Sequence, residues 1–369
     1  MHRSWVISLI ALLYLSIFLI ASPSYGNIAA NSWVTRASIP QVVSGARAAV
    51  IDGKIYVIGG SSNYMYDPAT DNWTQKTPMP NPTMFFAITA YQNRIYVLGG
   101  RGDNGTYAFN QVYYPSNNSW DIKPSMPLAA SDLDANVVNG KIYLVWSSEN
   151  EIYDISTDSW SNGTAMPYPV TAYASAVYNN KIFYFGGSSG LTKYGNQTQI
   201  YSPLTNLWDL GAPIPTKGSE SVAIAAAATT GEFSLRRIYV LGGWSGDNPL
   251  SGSDLNRVYN PHDNSWVFGS PMPTARVGVT VSAVNDTLYA IGGSNVVVLG
   301  STANEQYFPL GYGTPDITLT PSPSVPELSW LIILPLLFSL AFAVLIRKSI
   351  RLSFASLIRA YRTFELCLF

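Results

Sequence analysis

Two aspartates one residue apart, Asp132 and Asp134 in the stretch SDLD, come closest in this sequence to a pair of catalytic carboxylates. Carboxylates at this spacing can divide acid and base roles between them or ligate a hard cation. At the start of a strand, however, such a pair more often caps a turn or faces solvent. The spacing alone therefore assigns neither residue a catalytic role.

Histidine and cysteine, which many enzyme and metal sites require, are scarce. His262 is the only histidine between the two apolar ends of the chain, and the only cysteine, Cys367, lies near the C-terminus. Acyl transfer needs a Ser or Cys beside a His, and zinc or copper sites take several His or Cys ligands. The sequence also contains no Gly-rich phosphate-binding loop. It therefore argues against an enzyme and predicts no cofactor and no metal site.

The strongest regularity is a strand-like segment that occurs six times. Five copies end in Gly-Gly, and the third ends in Trp146-Ser147 instead. Paired glycines at a strand end permit positive φ and a close approach of neighbouring backbones. The six copies are KIYVIGG at 54–60, RIYVLGG at 94–100, KIYLVWS at 141–147, KIFYFGG at 181–187, RIYVLGG at 237–243 and TLYAIGG at 287–293.

A Tyr followed seven residues later by a Trp is the second marker of the repeat. The Trp lies 26 residues before the first Gly of the next Gly-Gly, or 34 residues in the fifth unit, where eight residues are inserted around TTGEFSLR. Trp120 lies 26 residues before Trp146, so the third copy is in register and counts as a unit. The five pairs are Tyr66/Trp73, Tyr113/Trp120, Tyr153/Trp160, Tyr201/Trp208 and Tyr259/Trp266.

Each unit contains four short segments separated by turn residues, which predicts four β-strands. The sixth unit has Tyr307 but no Trp seven residues later, whereas Trp33 near the N-terminus has no Tyr before it. The N-terminal segment is therefore expected to supply the last strand of the sixth sheet and to close a ring of sheets.

The double glycine, the Tyr and the Trp at these spacings resemble the kelch repeat over nearly all of residues 31–312. The resemblance implies an all-β fold, a six-bladed kelch β-propeller closed by an N-terminal strand. A binding module for an extracellular protein or a glycan is the function we expect from it. Some six-bladed kelch proteins resemble sugar-acid mutarotases or epimerases, so an extracytoplasmic sugar-processing enzyme is an alternative, and a structural surface-layer spacer is a third.

The loops between the second and third strands vary most in length, and they are expected to surround the channel mouth on one face. Arg276, at the start of an innermost strand, is added to the candidates because the resemblance implies an arginine there in peptide-binding kelch proteins. Asn104 and Asn196 are glycosylation sequons in long loops. The candidate ligand contacts within the loops are Arg101, Asp103, Tyr107, Tyr194, Trp244, Asp247 and Asp254.

The two ends of the chain are apolar and predict export and anchoring. Residues 1–26 have the pattern of a signal peptide, residues 27–313 form the propeller, and residues 314–327 are a stalk rich in Pro, Ser and Thr. Residues 328–346 lack charge and are long enough for one transmembrane helix. The basic tail, 347–369, is expected to stay cytoplasmic, which leaves the propeller extracellular on a single-pass protein of the cell membrane.

The segment PSPSVPELSW and the apolar and basic residues after it resemble a prokaryotic, archaeal-type sorting signal of surface proteins. That signal usually reads Pro-Glu-Phe, whereas Leu328 stands in the third place here. Residues 27–313 contain 15 Lys and Arg against 19 Asp and Glu, a net charge of −4, and no basic run. The sequence therefore predicts a surface-displayed glycoprotein that does not bind nucleic acid.

Overall fold

The computed structural model describes residues 29–189, 195–216, 225–243, 252–295 and 300–313. All of them belong to the first of two compact units of the chain, Met1–Asp316. The predicted signal peptide, stalk, transmembrane segment and basic tail lie outside the described residues. Within the described residues there is no helix of the length and apolar character needed to cross a membrane.

The described residues form six four-stranded antiparallel sheets, which are the blades of a β-propeller. Blade 1 consists of β2 (Arg47–Ile51), β3 (Lys54–Gly59), β4 (Ser62–Asp67) and β5 (Asn72–Gln75). Blade 2 consists of β6 (Ala87–Tyr91), β7 (Arg94–Leu98), β10 (Asn110–Tyr114) and β11 (Ser119–Ile122). Blade 3 consists of β12 (Ala135–Val138), β13 (Lys141–Trp146), β14 (Glu149–Asp154) and β15 (Ser159–Asn162). Between β7 and β10, blade 2 carries a small hairpin of β8 (Arg101–Gly102) and β9 (Gly105–Thr106).

Blades 4 to 6 repeat the same four-stranded order. Blade 4 consists of β16 (Ala174–Tyr178), β17 (Lys181–Phe185), β18 (Thr198–Ser202) and β19 (Leu207–Gly211). Blade 5 consists of β20 (Ala225–Ala228), β21 (Ile238–Leu241), β22 (Asn256–Asn260) and β23 (Ser265–Phe268). Blade 6 consists of β24 (Thr280–Val284), β25 (Thr287–Ile291) and β26 (Asn304–Phe308), and β1 (Ser32–Thr35) is its outer strand.

The ring closes as the sequence predicts. Strand β1 pairs with β26, and this pairing sets Trp33 opposite Tyr307. Their ring centroids are 4.9 Å apart, against 4.8–5.0 Å for the Tyr/Trp pairs of the other five blades. Each innermost strand contacts the innermost strand of the next blade, and β24 contacts β2. Blade 6 is thus completed by residues from the opposite end of the propeller sequence.

A recurring hydrogen-bond pattern explains the spacing of Tyr and Trp. In blade 2, the Tyr113 hydroxyl donates to Asn118 Oδ1 at 2.6 Å, and the same oxygen accepts from Thr77 N of blade 1 at 2.9 Å. Trp120 Nε1 donates to Thr77 O at 2.8 Å. The turn between Tyr and Trp needs a residue with positive φ, and Asn118 has a φ of 53°. The repeat markers therefore join each blade to the one before it.

The odd third copy of the Gly-Gly strand is accommodated by a short hairpin. In blade 3, Trp146 pairs with Glu149 and keeps a negative φ, and in blade 1 Gly59 pairs with Ser62 in the same way. Only the second position has positive φ, 51° at Ser147. Ser147 N still donates to the next blade, to Val170 O at 3.0 Å. Because the first position stays extended, a Trp fits there and packs on the core between blades 2 and 3.

Candidate functional site

The strand register confirms that the starts of the innermost strands and the loops after the second strands share one face. Arg47, at the start of β2, lies opposite Ile58, near the end of β3, and Thr280 lies opposite Ile291 in blade 6 in the same way. Both elements therefore meet at the same end of each blade. We call this end of the propeller the loop face.

The hairpin of β8 and β9 presents the first sequence-predicted contact, Arg101, on the loop face. Its guanidinium lies 4.3 Å from the ring centroid of Phe85 and 3.5 Å from Asp132 Oδ2. Half of the Arg101 side chain stays exposed, at 49%. The Phe85 ring and the Asp132 carboxylate hold the guanidinium in place, and the exposed part of the side chain remains available for binding. Asp132, a candidate for chemistry by sequence, thus acts as a partner of Arg101.

The rest of this hairpin divides into a packed base and an exposed tip. The Tyr107 ring stacks on Phe109 with centroids 4.6 Å apart. Gly102 lies against the Tyr107 ring, so that a Cβ atom there would come within 3.0 Å of it. Asp103 and Asn104 are exposed at the tip between β8 and β9. Arg101, Asp103, Tyr107 and the Asn104 sequon therefore occupy one ordered loop.

The other predicted loop residues are not gathered into the same cluster. Asp254 is half-buried, and its carbonyl oxygen accepts from Met272 N at 2.7 Å. Asn196, the second sequon, is exposed just before β18. Tyr194, Trp244 and Asp247 lie outside the described residues.

Arg276 lies in a different environment from the one predicted. Its side chain is fully buried and forms an ion pair with Glu305, with 2.5 Å between Nη2 and Oε2. Nη1 donates to Gly292 O at 2.9 Å. Burial lowers the pKa of the Arg276 guanidinium, and Glu305 acts against that shift. The predicted role as an exposed ligand contact is therefore corrected: Arg276 has no surface for a ligand to touch in this structure, and it joins elements of blade 6.

The central channel forms a cavity of about 150 Å³ at the start of the innermost strands, and all six blades line it. The sheet registers define an equivalent position in every blade, the residue opposite the last residue before the Gly-Gly turn. Four of these six positions hold small side chains, and two of them, Ala225 and Thr280, line the cavity. The six residues, from blade 1 to blade 6, are Arg47, Ala87, Asp134, Ala174, Ala225 and Thr280.

Asp134 is fixed in this channel by a chain of hydrogen bonds. Ser175 Oγ donates to Asp134 Oδ2 at 2.8 Å, and Asn136 Nδ2 donates to Ser175 Oγ at 2.8 Å. Ala135 N donates to Asp134 Oδ1 at 3.1 Å. Burial raises the pKa of the Asp134 carboxyl, while the Arg47 charge and these hydrogen bonds lower it. The cavity is therefore lined by one hydrogen-bonded carboxyl group and one cation.

Sequence reasoning missed Arg47, although the repeat contains the information that identifies it. Arg47 lies twelve residues before Gly59, and Asp134 lies twelve residues before Trp146, the equivalent of that glycine. Aligning the units on this position reveals two opposite charges in a ring of otherwise small residues. Among the described residues, no group of three His, Cys, Asp or Glu side chains is placed to hold a metal ion.

Comparison with known proteins agrees with this architecture. The kelch motif matches residues 43–80, 169–215 and 232–273. The chain is similar to Kelch-like protein 36 of Rattus norvegicus, with 28% identity over 70% of this chain and 45% of that protein. It is also similar to beta-scruin of Limulus polyphemus, with 31% identity over 31% of this chain and 14% of that protein. The chain thus spans less than half the length of these curated relatives.

A solved structure shows the same fold. The structure of YjhT superposes with a TM-score of 0.63 at 17% identity, and the match covers 72% of this chain and 95% of that one. The chain therefore carries kelch motifs on a six-bladed β-propeller.

Proposed function

We propose that this propeller binds a partner protein through its loop face and that Arg101 is the central contact. The observation that carries the proposal is the geometry of this arginine, which is half exposed and yet held by Phe85 and Asp132. An arginine fixed in this way loses little side-chain entropy when it binds, and arginine is among the residues that dominate protein interfaces. A carboxylate on the partner is the group that its free surface would recognise.

The kelch propeller itself supports binding as the function. Kelch-like proteins and scruin carry such propellers as protein-interaction modules. These relatives are named for the repeat or for scruin and not for a reaction, which favours binding over the sugar-processing alternative. A partner protein is also a better match than a glycan to a single fixed cation beside the Tyr107–Phe109 stack.

We further propose that the propeller is displayed outside the cell on a membrane anchor. The support is the apolar run of residues 5–21 at one end and of residues 328–346, followed by Arg347 and Lys348, at the other. Protease treatment of intact cells that express the full chain tests this proposal. Degradation of the propeller without lysis is the expected result, and full protection of it would contradict display.

Two arginines at opposite ends of β7 allow a matched test of the binding face. Arg101 follows β7 on the loop face and packs on Phe85, whereas Arg94 begins β7 at the other end and lies 5.5 Å from the Tyr114 ring centroid. In a quantitative pull-down with the full chain, Arg101→Glu is expected to remove the partner that the unchanged protein retains. Arg94→Glu makes the same change of charge and is expected to retain it.

Each of the other outcomes of this pull-down is informative. Equal loss in both variants would show that overall charge, and not the loop face, controls binding. Retention of the partner by Arg101→Glu would remove the proposed site. Binding of the chain to a glycan array without capture of any protein would replace the proposed partner class.

A further inference from the structure

The channel cavity is lined by a cation, Arg47, and a positioned carboxyl group, Asp134. The Arg47 side chain makes no hydrogen bond or direct ion pair with any described residue, although it is only partly exposed, and its charge acts on Asp134 at longer range. Asp134 lies two blades away at the equivalent position, and it uses its hydrogen bonds on Ser175 and Ala135. A charge without a partner inside a protein favours the binding of a counter-charge from outside. The two groups thus bring complementary charges, which no direct ion pair joins, to the wall of one space.

Small residues in the cavity wall set the size of what fits there. Ala48, Ala135 and Ala225 line a cavity of about 150 Å³ that Arg47 and Asp134 also line. Such a volume accommodates a compact molecule of roughly six to ten non-hydrogen atoms. Each larger side chain at these positions would fill the space. The small side chains therefore leave room for a compact ligand beside both charged groups.

We propose that the channel binds a small zwitterionic amino acid, with its carboxylate on Arg47 and its ammonium group on Asp134. The guanidinium offers paired N–H donors that match the geometry of a carboxylate. The ammonium group supplies donors for the Asp134 lone pairs that Ser175 and Ala135 do not use. Both charges of the ligand are thereby paired, and the site as a whole stays neutral.

The hydrogen-bond chain gives Asp134 the role of a fixed acceptor. Asn136 donates to Ser175 Oγ, so the single Ser175 hydrogen is directed to Asp134. Burial raises the pKa of Asp134, and a bound ammonium group lowers it again by favouring the charged carboxylate. Ligand binding and ionisation of Asp134 therefore support each other. This site lies inside the channel and does not involve Arg101, so it is independent of the proposed partner binding.

Thermal unfolding of the full chain with small probes tests the proposal. Glycine, β-alanine and L-serine carry both charges, whereas acetate and ethylamine each carry one. The zwitterions are expected to raise the melting temperature, because a ligand that binds only the folded state stabilises it. The single-charge probes are expected to have little effect at the same concentration. A rise of equal size with acetate, or no rise with any zwitterion, would overturn the proposal.

Substitutions in the ring locate the effect. Arg47→Met and Asp134→Asn are each expected to weaken glycine binding at least about tenfold, the size of one lost charge-assisted hydrogen bond. Arg94→Glu changes a charge outside the channel and is expected to bind as before. Unchanged binding in Arg47→Met would place the ligand elsewhere. Arg47→Lys, which keeps the charge, is expected to bind between the two extremes and serves as a second variant if Arg47→Met unfolds.

Discussion

Blades 3 and 6 have a buried glutamate at the same position of the repeat, but only the glutamate of blade 6 forms an ion pair. Glu151 and Glu305 both lie two residues before the Tyr of the third strand, and their exposed fractions are 2% and 3%. Glu305 accepts hydrogen bonds from Arg276 and, at 2.7 Å, from Thr274. Glu151 Oε1 accepts from Leu128 N at 3.1 Å, while its Oε2 has no hydrogen-bond partner. The difference shows that the fold requires a polar side chain here but does not require a particular charge.

Blades 2 and 4 show what the unpartnered oxygen of Glu151 lacks. There the position holds Gln111 and Gln199, and each amide donates to and accepts from one backbone residue of the segment that leads into its own blade. A carboxyl group reproduces both bonds only when it carries a proton. Burial raises the pKa of Glu151 to about 7; Leu128 N–H lowers it and the charge of Glu149 raises it further. Glu151 is therefore expected to imitate a glutamine when protonated.

The largest effect that we expect comes from a change to the way in which the two blades are assembled. Blade 3 is continuous in sequence, whereas blade 6 depends on β1 from the far end of the propeller. Deletion of residues 29–40 is expected to abolish cooperative unfolding, because it exposes β26 and removes Trp33 from Tyr307. Circular dichroism melting checks this. An unchanged melting temperature would show that closure of the ring contributes nothing to stability.

The ion pair of blade 6 is the next largest expected effect. Arg276→Met leaves Glu305 buried without a cation, which typically costs about 3–5 kcal/mol of unfolding free energy. Urea denaturation measures this loss. Adding Glu305→Gln to the same chain removes the orphaned charge and is expected to recover a large part of the stability. Equal destabilisation in the single and the double variant would mean that the packing of Arg276, and not its charge, is what matters.

The smallest expected effect is the pH dependence contributed by Glu151. Its pKa is about 7 in the folded protein and near its ordinary value of 4.5 when unfolded, so the folded state binds more protons between these values. Stability from this group is therefore fully present below about pH 4.5 and falls as the pH rises to about 7, by ~3 kcal/mol in all. Urea denaturation at several pH values measures this fall.

Two variants of blade 3 separate this effect from the other titrations of the protein. Glu151→Gln is expected to make both hydrogen bonds at every pH, so it should remove that part of the slope and exceed the unchanged protein in stability at pH 8. Glu149→Gln, two residues away, is expected to keep most of the slope. A Glu151→Gln variant with the same pH profile as the unchanged protein would show that Glu151 is already ionised in the folded state.

The repeat predicted much of the site. The two residues that the sequence did not assign correctly, Arg276 and Arg47, both interact with residues distant in sequence. The repeat predicts correctly that the second-strand loops and the innermost strand starts share a face, because both are fixed by antiparallel register. Arg276 was misplaced because its sequence position gives no sign of Glu305, which is 29 residues away and meets it only when the strands of blade 6 assemble. Arg47 was missed because its meaning depends on Asp134, a residue of another blade.

The sequence by itself determined the number of blades, the order of their strands and the closure by Trp33, because these depend on spacings that recur along the chain. Only the tertiary structure decided which charges are paired. Glu305 pairs with Arg276 and Asp132 pairs with Arg101, whereas Glu151 pairs with no cation among the described residues. The physical reason is that the spacing of the repeat markers is local in sequence, whereas the partner of a buried or half-buried charge comes from whichever element the folded chain brings beside it.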